Sequence, residues 1–316
     1  MGPGLAGYTI RRLLWAIPVL FVISVLVFWM LRLAPGDPAE TILGNRFDEE
    51  QANVLRRKYG YDQPIAVQYG KYMWNLAHLD LGVSVKYRDF SVTEVILPKL
   101  WVSSRLGVLA LVIAFGLGIP VGVYAALARG TFLDPLTISS WLLLDAIPPY
   151  VLIPLVQWAL VLKLKLFGLG WDGFLSPNMI LPVLVMGLPG VAGVARLMRA
   201  SVIGVLSEDY IRTARAKGLK EPTIIVSHIT RNALLPMVTV IGLSLPGVAA
   251  GALFVETLFG IPGIGQLSLE AVQLPDFDVV LALILFGSAS FVLANVLIDV
   301  MYAFIDPRIR VGGARG

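Results

Sequence analysis

Long apolar segments alternate with polar ones along the chain, and six of the apolar segments are long enough to cross a membrane. A helix needs about 20 apolar residues to span roughly 30 Å of hydrocarbon. Backbone donors in lipid must be satisfied within the spanning segment, and the two-residue alternation of a barrel strand is missing, so the spans are predicted to be helices. The predicted spans cover residues 13–33, 101–128, 135–162, 179–200, 233–256 and 279–305.

The polar segments between these spans differ greatly in length. Residues 34–100 form one sizeable insertion, whose apolar stripe through Tyr69, Tyr72 and Leu76 predicts partly helical structure. We expect this insertion to be an extracytoplasmic cap that packs over the outer mouth of the bundle. The other predicted segments are an N-terminus at 1–12, outer loops at 163–178 and 257–278, an inner loop at 201–232 and a C-terminus at 306–316.

The composition indicates that the bilayer is the solvent. Of the 316 residues, 57% are hydrophobic and only 15% are charged, which is too little charge to cover a water-facing surface. Ordinary soluble, disordered and fibrous proteins are therefore excluded, and membrane lipid is an expected partner. The absence of cysteine excludes disulfides, thiolate metal sites and cysteine nucleophiles. The net charge of +4 is attributed to cytoplasmic loops, so nucleic acid is not expected as a partner.

The distribution of Lys and Arg predicts that both termini are cytoplasmic. Inner and outer segments then carry nearly equal numbers of basic residues, but most of the outer ones lie in or beside the long 34–100 insertion. Long loops translocate with little regard to charge, so the short loops decide the orientation. The short outer loop at 257–278 contains no Lys or Arg.

The inner loop at 201–232 has the pattern of a short helix, a break and a second helix. Ser207 is predicted to cap the first helix, with Glu208 and Asp209 in its first turn. Gly218 is predicted to end that helix in a left-handed conformation, and Pro222 suits the start of the next. A polar helix this short is marginal alone and has no obvious partner in its own chain, which predicts docking to another protein. The alternative is a solvated basic loop that follows the positive-inside rule.

Ionisable and helix-breaking residues inside the predicted spans are candidates for a transport pathway. Asp145 lies mid-span, three residues before Pro148 and Pro149. A carboxylate at that depth should face protein or water, so Asp145 either lines a pathway or caps backbone donors freed by the proline break. Glu256 is a further pathway candidate, although its position near a span end favours a structural role with exposure at the interface.

The sequence lacks the motifs of catalysis and of nucleotide binding. It contains no phosphate-binding loop, no His-Glu-x-x-His and no Gly-x-Ser-x-Gly. We therefore expect no catalytic residue, no metal site and no cofactor in this chain, and any energy source must lie on another protein.

Several short motifs, in order along nearly the whole chain, resemble those of binding-protein-dependent ABC importer permeases of the dipeptide/oligopeptide/nickel family, in particular the first of their two permease subunits. The motifs are Ala34-Pro35-Gly36-Asp37-Pro38, Asp80-Leu81-Gly82-Val83-Ser84, Ile147-Pro148-Pro149, Asp209-Tyr210-Ile211-Arg212-Thr213-Ala214-Arg215-Ala216-Lys217-Gly218, Pro262-Gly263-Ile264-Gly265 and Asp306-Pro307-Arg308.

The resemblance implies an all-α, six-span type I ABC importer permease fold with its core at 101–305, in a prokaryotic cytoplasmic membrane. It implies a second homologous permease, two cytoplasmic ATPases that bind ATP and Mg, and an extracytoplasmic substrate-binding protein. It also implies that the inner loop couples to an ATPase, although Arg212-Thr213-Ala214 stands where the general motif has Glu-Ala-Ala, so the role of that glutamate cannot be transferred. The implied coupling residues are Glu208, Asp209, Tyr210, Arg212, Thr213, Ala214, Arg215, Ala216, Lys217 and Gly218.

The substrate stays open between di- or oligopeptides, nickel chelates and oligosaccharides, because relatives handle all three. Two other classes of protein are weaker alternatives. A secondary transporter or channel should show an internal repeat and paired ionisable residues at mid-depth, whereas Asp145 is the one clear example. An intramembrane enzyme should carry a nucleophile and base or metal ligands within its spans, and the chain has only two histidines and no cysteine.

Overall fold

A computed structural model describes residues 5–33, 38–43, 48–87, 90–273 and 276–305. Within these ranges the chain is helical apart from turns and one antiparallel bridge between Val83 and Ser91. The predicted all-α fold class is therefore confirmed. The predicted C-terminal segment at 306–316 lies outside the described residues, as do positions 1–4 of the predicted N-terminus.

Fifteen α-helices are assigned in the described part of the chain. In the insertion and its flanks these are α1 (Leu5–Leu33), α2 (Pro38–Leu43), α3 (Glu49–Tyr59), α4 (Ile65–Ala77) and α5 (Val92–Leu127). The central helices are α6 (Leu133–Asp145), α7 (Pro149–Val156), α8 (Ile180–Leu206), α9 (Asp209–Ala216), α10 (Glu221–Thr223) and α11 (Arg231–Ala233). The last four are α12 (Leu235–Ala250), α13 (Leu253–Phe259), α14 (Ile264–Gln273) and α15 (Phe277–Ile305). Wider π-helical turns follow α7 at Gln157–Lys163 and α10 at Ile224–Thr230.

Four stretches in the described residues are long and apolar enough to span a membrane as single helices. They are Thr9–Leu33, Val92–Leu127, Pro177–Leu206 and Phe277–Ile298. Two further pairs of helical segments qualify if each bent pair counts as one span, which brings the number to the six predicted. The pairs are Leu133–Asp145 with Pro149–Lys163, bent by 91°, and Glu221–Ala233 with Leu235–Val248, bent by 46°.

Prolines account for both bends. Pro148 adopts an extended backbone conformation (φ −58°, ψ 141°) between α6 and α7, and it is followed directly by Pro149. A proline disfavours helical geometry in the preceding residue and supplies no backbone N–H, so the helix stops and restarts in a new direction. The second bend lies at Leu234, two residues before Pro236. Pro236 likewise removes a donor from the helix that would run through it.

The described chain falls into two compact units. The first takes in residues up to Ser103, residues 249–253 and the chain from Pro262 onward; the second takes in residues 104–248 and 254–261. In the first unit α1 packs along α15, and α14 packs against the start of α15. A cluster of buried residues from α5, α14 and α15, including Val92, Leu267 and Val279, forms the core there.

A polar network in the first unit fastens residues 84–87 to α14 and to the start of α15. The Ser84 hydroxyl donates to the Asp276 carboxylate at 2.6 Å, and Lys86 Nζ and the Tyr87 hydroxyl donate to one oxygen of Glu270 at 2.6 and 2.7 Å. Burial and the hydrogen bond to Glu270 raise the pKa of Tyr87 to about 12. Burial alone would raise the pKa of Glu270, but the bonds from Lys86 and Tyr87 outweigh it and lower that pKa.

In the second unit α6 packs against α8, and a bidentate ion pair fixes the contact. Arg199 on α8 donates from Nε and Nη2 to the two oxygens of Asp134 on α6, at 2.5 and 2.6 Å. Asp134 is 6% exposed, so the carboxylate of this pair is largely shielded from solvent. Planar, bidentate pairing of this kind fixes orientation as well as distance.

Glycines on α5 allow α8 to approach closely within the second unit. A Cβ added at Gly118 would lie 2.6 Å from the Cβ of Val194, and one added at Gly122 would lie 2.6 Å from the carbonyl oxygen of Ala195. No side chain fits in these spaces without moving a helix. Small residues at such contacts are typical of helices that pack in membranes, where close van der Waals contact replaces hydrophobic driving force.

Candidate functional site

The segment between α8 and α10 forms a compact turn–helix–turn at the end of the long helix α8. Ser207 does not cap α9, so that prediction was wrong. Its hydroxyl donates to the Gly204 carbonyl at 2.7 Å, and its backbone N–H also bonds to Gly204, so Ser207 closes the last turn of α8 instead. Glu208 is the residue that precedes α9, in an extended conformation (φ −74°, ψ 143°).

Gly218 ends the segment as predicted. It adopts a left-handed conformation with φ +76°, which a residue with a side chain rarely takes up. The Gly218 N–H bonds to the Arg215 carbonyl at 2.9 Å, and the Leu219 N–H bonds to the Ala214 carbonyl at 3.3 Å. These bonds satisfy the carbonyls left free at the end of α9 and turn the chain sharply toward α10.

Helix α9 has two different faces. Ile211 is fully buried and Ala214 is 6% exposed, and both belong to a core formed with Met198 and Val202 of α8 and with the π-helical turn after α10. The premise that this helix lacks a packing partner in its own chain was therefore wrong. Sequence reasoning missed the role of Ile211 as a buried anchor. Its three-residue spacing from Ala214 was the local signal of a buried face, and Ile224 and Ile229 were the apolar residues available to pack against it.

The opposite face of α9 is polar and open to solvent. Of the candidate coupling residues only Ala214 is buried, and the exposed ones are Glu208, Asp209, Tyr210, Arg212, Thr213, Arg215, Ala216, Lys217 and Gly218. We call this set the exposed α9 face. Two ion pairs lie along it: Arg212 with Asp209 at 3.2 Å, and Arg215 with Glu221 at 2.7 Å. The second joins α9 to α10 across the Gly218 turn, a role for Glu221 that the sequence did not reveal.

Exposed ion pairs of this kind contribute little to stability, because water screens them and long side chains lose freedom when they pair. They place Arg212 beside Asp209 and Arg215 beside Glu221 on the solvent side of the helix. The segment therefore combines a buried anchor with an exposed polar surface. Such an arrangement suits the binding of another protein and the transfer of its movement into the helices beneath.

The candidate pathway residues Asp145, Pro148 and Pro149 lie together at the 91° bend. Asp145 is the last residue of α6 and is exposed. Within the described residues no side chain caps the first turn of α7, so the alternative that Asp145 caps the proline break was wrong. The carboxylate instead stands open at the point where the helix changes direction.

Glu256 lies on α13 and is fully buried, so the expected exposure at the membrane interface was wrong. The local sequence suggested a span end, whereas the structure has a separate short helix there in which Glu256 is buried. The segment that follows the proline bend packs on the same helix: the Gln157 side chain donates to the Leu258 carbonyl at 2.9 Å, and the rings of Tyr150 and Phe254 lie 5.9 Å apart. The proline bend and the helix that carries Glu256 are thus neighbours, although no bond joins Asp145 to Glu256 in the described chain.

The described residues contain no group of three or more His, Cys, Asp or Glu that could hold a metal ion.

Comparison with known families matches both halves of the chain. Residues 118–311 match the model described as "Binding-protein-dependent transport system inner membrane component", and residues 5–88 match that of its N-terminal region. The matched segments take in the exposed α9 face and residues 34–88 of the polar insertion.

Individual relatives match over almost their full length. The chain is 40% identical over 306 residues to the oligopeptide transport system permease protein OppB of Escherichia coli (strain K12), covering 96% of this chain and 99% of that protein. It is 37% identical over 311 residues to the glutathione transport system permease protein GsiC of Escherichia coli O6:H1, with the same coverage. Among solved structures, a chain of the MetNI methionine ABC transporter in inward-facing form aligns with 71% of this chain and 98% of its own length, at 17% identity and a TM-score of 0.44.

Proposed function

Because the chain belongs to the family of binding-protein-dependent transport system inner membrane components, we propose that it is a permease subunit of an ATP-driven importer of peptides. The two relatives at 40% and 37% identity are named for oligopeptides and for glutathione, which is itself a peptide. Peptides are therefore favoured over nickel chelates or oligosaccharides. The family membership also favours an ABC permease over a transporter or channel that acts without an ATPase.

The chain works within an assembly of several proteins. A partner permease, ATPase subunits and a substrate-binding protein follow from the family, and we propose one homologous permease, two ATPases and one binding protein. ATP and Mg are proposed to bind the ATPase subunits, where hydrolysis takes place. The chain crosses the inner membrane several times, and we propose that both of its termini face the cytoplasm, which puts α9 on the same side as the ATPases.

The exposed α9 face is proposed to be the ATPase-docking site, with Ile211 and Ala214 as its anchor in this chain. The two-faced helix is the observation that carries this proposal. Protein interiors are close-packed and transmit displacement, so a push on α9 reaches α8 and the π-helical turn through Ile211. The family's switch between inward and outward states would then follow from rigid movement of packed helices.

Asp145, Pro148 and Pro149 are proposed to line the pathway for the peptide. A carboxylate facing lipid at mid-span costs about 2.5–3.5 kcal/mol, so an exposed Asp145 suits a water-filled pathway shared with the partner permease. Glu256, which is fully buried in this structure, is proposed to reach that pathway in another state of the transport cycle.

Cross-linking tests the docking site directly, because the chain has no cysteine of its own. In the assembled transporter, a photo-activatable cross-linker attached through a maleimide to the cysteine of Tyr210→Cys should cross-link to an ATPase subunit. Leu175→Cys is the matched control, since Leu175 is also exposed but lies in the loop predicted on the other side of the membrane. An ATPase adduct from Leu175→Cys and none from Tyr210→Cys would overturn both the docking site and the orientation.

A further inference from the structure

Helix α4 belongs to the polar insertion, yet it packs on the middle of a membrane span. The Tyr69 hydroxyl lies 2.9 Å from Ser24 Oγ on α1, and the rings of Tyr69 and Phe28 lie 5.2 Å apart in an edge-on contact. Ser24 also donates to the Phe21 carbonyl at 2.7 Å and lies 3.7 Å from the sulfur of Met73. Ser24 is only 2% exposed, so its side chain is enclosed at the contact with α4.

The sequence of α1 gives the depth of this contact. Its apolar run ends at Arg32, whose charge marks the edge of the hydrocarbon. Ser24 lies eight residues earlier, which is about 12 Å along a helix. Half of the hydrocarbon thickness is about 15 Å, so Tyr69 and Met73 meet α1 well inside the leaflet on the Arg32 side.

Helix α15 gives a second, independent measure of depth. Ile65, Tyr69, Tyr72 and Leu76 of α4 belong to one apolar cluster with Leu281 and Leu285 of α15. The charge at the start of α15 is Asp278, and Leu281 and Leu285 lie three and seven residues, or about 4 and 10 Å, further along the helix. Both spans therefore locate the apolar face of α4 below the membrane surface.

Part of the exposed surface of α4, beside the exposed Lys71 and Asn75, is apolar. It consists of Ala66, Val67, Gly70, Trp74 and Ala77, all of which are exposed, with Trp74 69% exposed. We call this set the outer face of α4. A tryptophan among small and apolar residues is typical of helices that lie at the boundary between headgroups and acyl chains.

The polar residues of α4 occupy a separate face. Gln68, Lys71 and Asn75 line a cavity of about 300 Å³ together with Arg32 and Asp80. The helix thus turns one polar face toward a charged cavity, one face toward α1 and α15, and its apolar outer face toward the surroundings. This division is that of an interfacial helix with a hydrated side and a lipid side.

The backbone groups at the ends of α4 find hydrogen-bond partners within the protein. Gln68 Nε2 donates to the Gln63 carbonyl at 2.7 Å before the helix begins, and at its end the N–H groups of His78 and Asp80 bond to the Asn75 carbonyl at 2.9 Å. Backbone groups near hydrocarbon must find such partners within the protein.

We propose that α4 is inserted in the leaflet on the Arg32 side, with its outer face in contact with the acyl chains of the lipid. The insertion is then not a wholly aqueous cap, and α4 widens the surface that α1 and α15 present to the bilayer. The proposal depends on α1 and α15 being membrane spans and not on the coupling role of α9.

Fluorescence quenching in lipid nanodiscs tests this placement in the assembled transporter. Single cysteines at Val67 and Gly70 would carry bimane, and a Cβ at Gly70 meets no described atom within 4 Å, so the label fits. Val22→Cys on the exposed side of α1 is the lipid reference, and Glu50→Cys on α3 is the water reference. Quenchers are a lipid with a doxyl group at carbon 5 of its acyl chain, and aqueous iodide.

Positions 67 and 70 should behave like position 22, with quenching by the doxyl lipid at least about threefold stronger than by iodide, and position 50 should show the reverse. Quenching of positions 67 and 70 by iodide alone would overturn the proposal and identify a water-facing surface. Protection of both positions from both quenchers would also overturn it, in favour of a protein partner on the outer face of α4.

Discussion

The anchor of α9 can be separated from its docking surface by mutation of Ile211. Substitution by alanine removes three carbon atoms from a fully buried site, which forfeits about 2.4 kcal/mol of transfer free energy at about 0.8 kcal/mol per methylene. A residual cavity adds to this loss, and buried Ile→Ala changes cost about 2–5 kcal/mol. At about 3 kcal/mol, the fraction of molecules with α9 detached from α8 should rise about 150-fold.

The exposed α9 face is untouched in Ile211→Ala, so ATPase subunits should still co-purify with the permease. Peptide transported per ATP hydrolysed, measured in proteoliposomes, should fall because movement of α9 no longer reaches α8 rigidly. Ile211→Val is the matched control and should keep most of the coupling, since it removes a single methylene. Unchanged transport per ATP in Ile211→Ala, in a protein whose thermal stability is lowered, would refute the reasoning. Loss of the ATPases would refute it as well, because the two faces would not be separable.

Three other changes give checkable outcomes. Gly218→Val should destabilise the turn after α9 by at least about 1–2 kcal/mol, because φ is +76° there, and it should lower the peptide transported per ATP. Gly218→Asn should have a milder effect, and equal transport by the two variants would contradict this reasoning. Asp145→Asn should reduce peptide uptake while the complex still assembles, and unchanged uptake would remove Asp145 from the pathway. The lowered pKa of Glu270 means that its bonds to Lys86 and Tyr87 stabilise the fold above the ordinary value of 4.5 and are lost as the pH falls below it. Melting temperatures measured from pH 7 to 3 should therefore show an acid-side drop that is smaller in Glu270→Gln, and equal drops would exclude this network as the cause.

Features with a strong local cause could be predicted from the sequence. The apolar runs predicted spans because hydrocarbon thickness alone sets their length, and the two prolines after Ile147 predicted a break because they act on adjacent backbone. Gly218 was identified for the same reason, since a glycine after a charged last turn is a local signal of a helix end.

Features that depend on distant contacts could not be predicted in this way. Ser207 is a good cap in isolation, but its position one turn after Gly204 lets it close α8 first. Glu256 was expected at the interface because the local pattern does not show that it is buried on the short helix α13. The stripe of Tyr69, Tyr72 and Leu76 predicted a helix correctly, but its depth follows only from contacts with Ser24 and Phe28, about forty residues away in the chain.

The two bonds between Arg199 and Asp134 have a mechanical consequence. They fasten the thirteen residues of α6 to α8, and Ile211 packs α9 into the same core as α8, so the three helices should move together as one rigid unit. Asp145 stands at the end of α6, where the proline pair lets the chain change direction. If ATPase subunits dock on α9 as proposed, their movement would displace the Asp145 carboxylate directly.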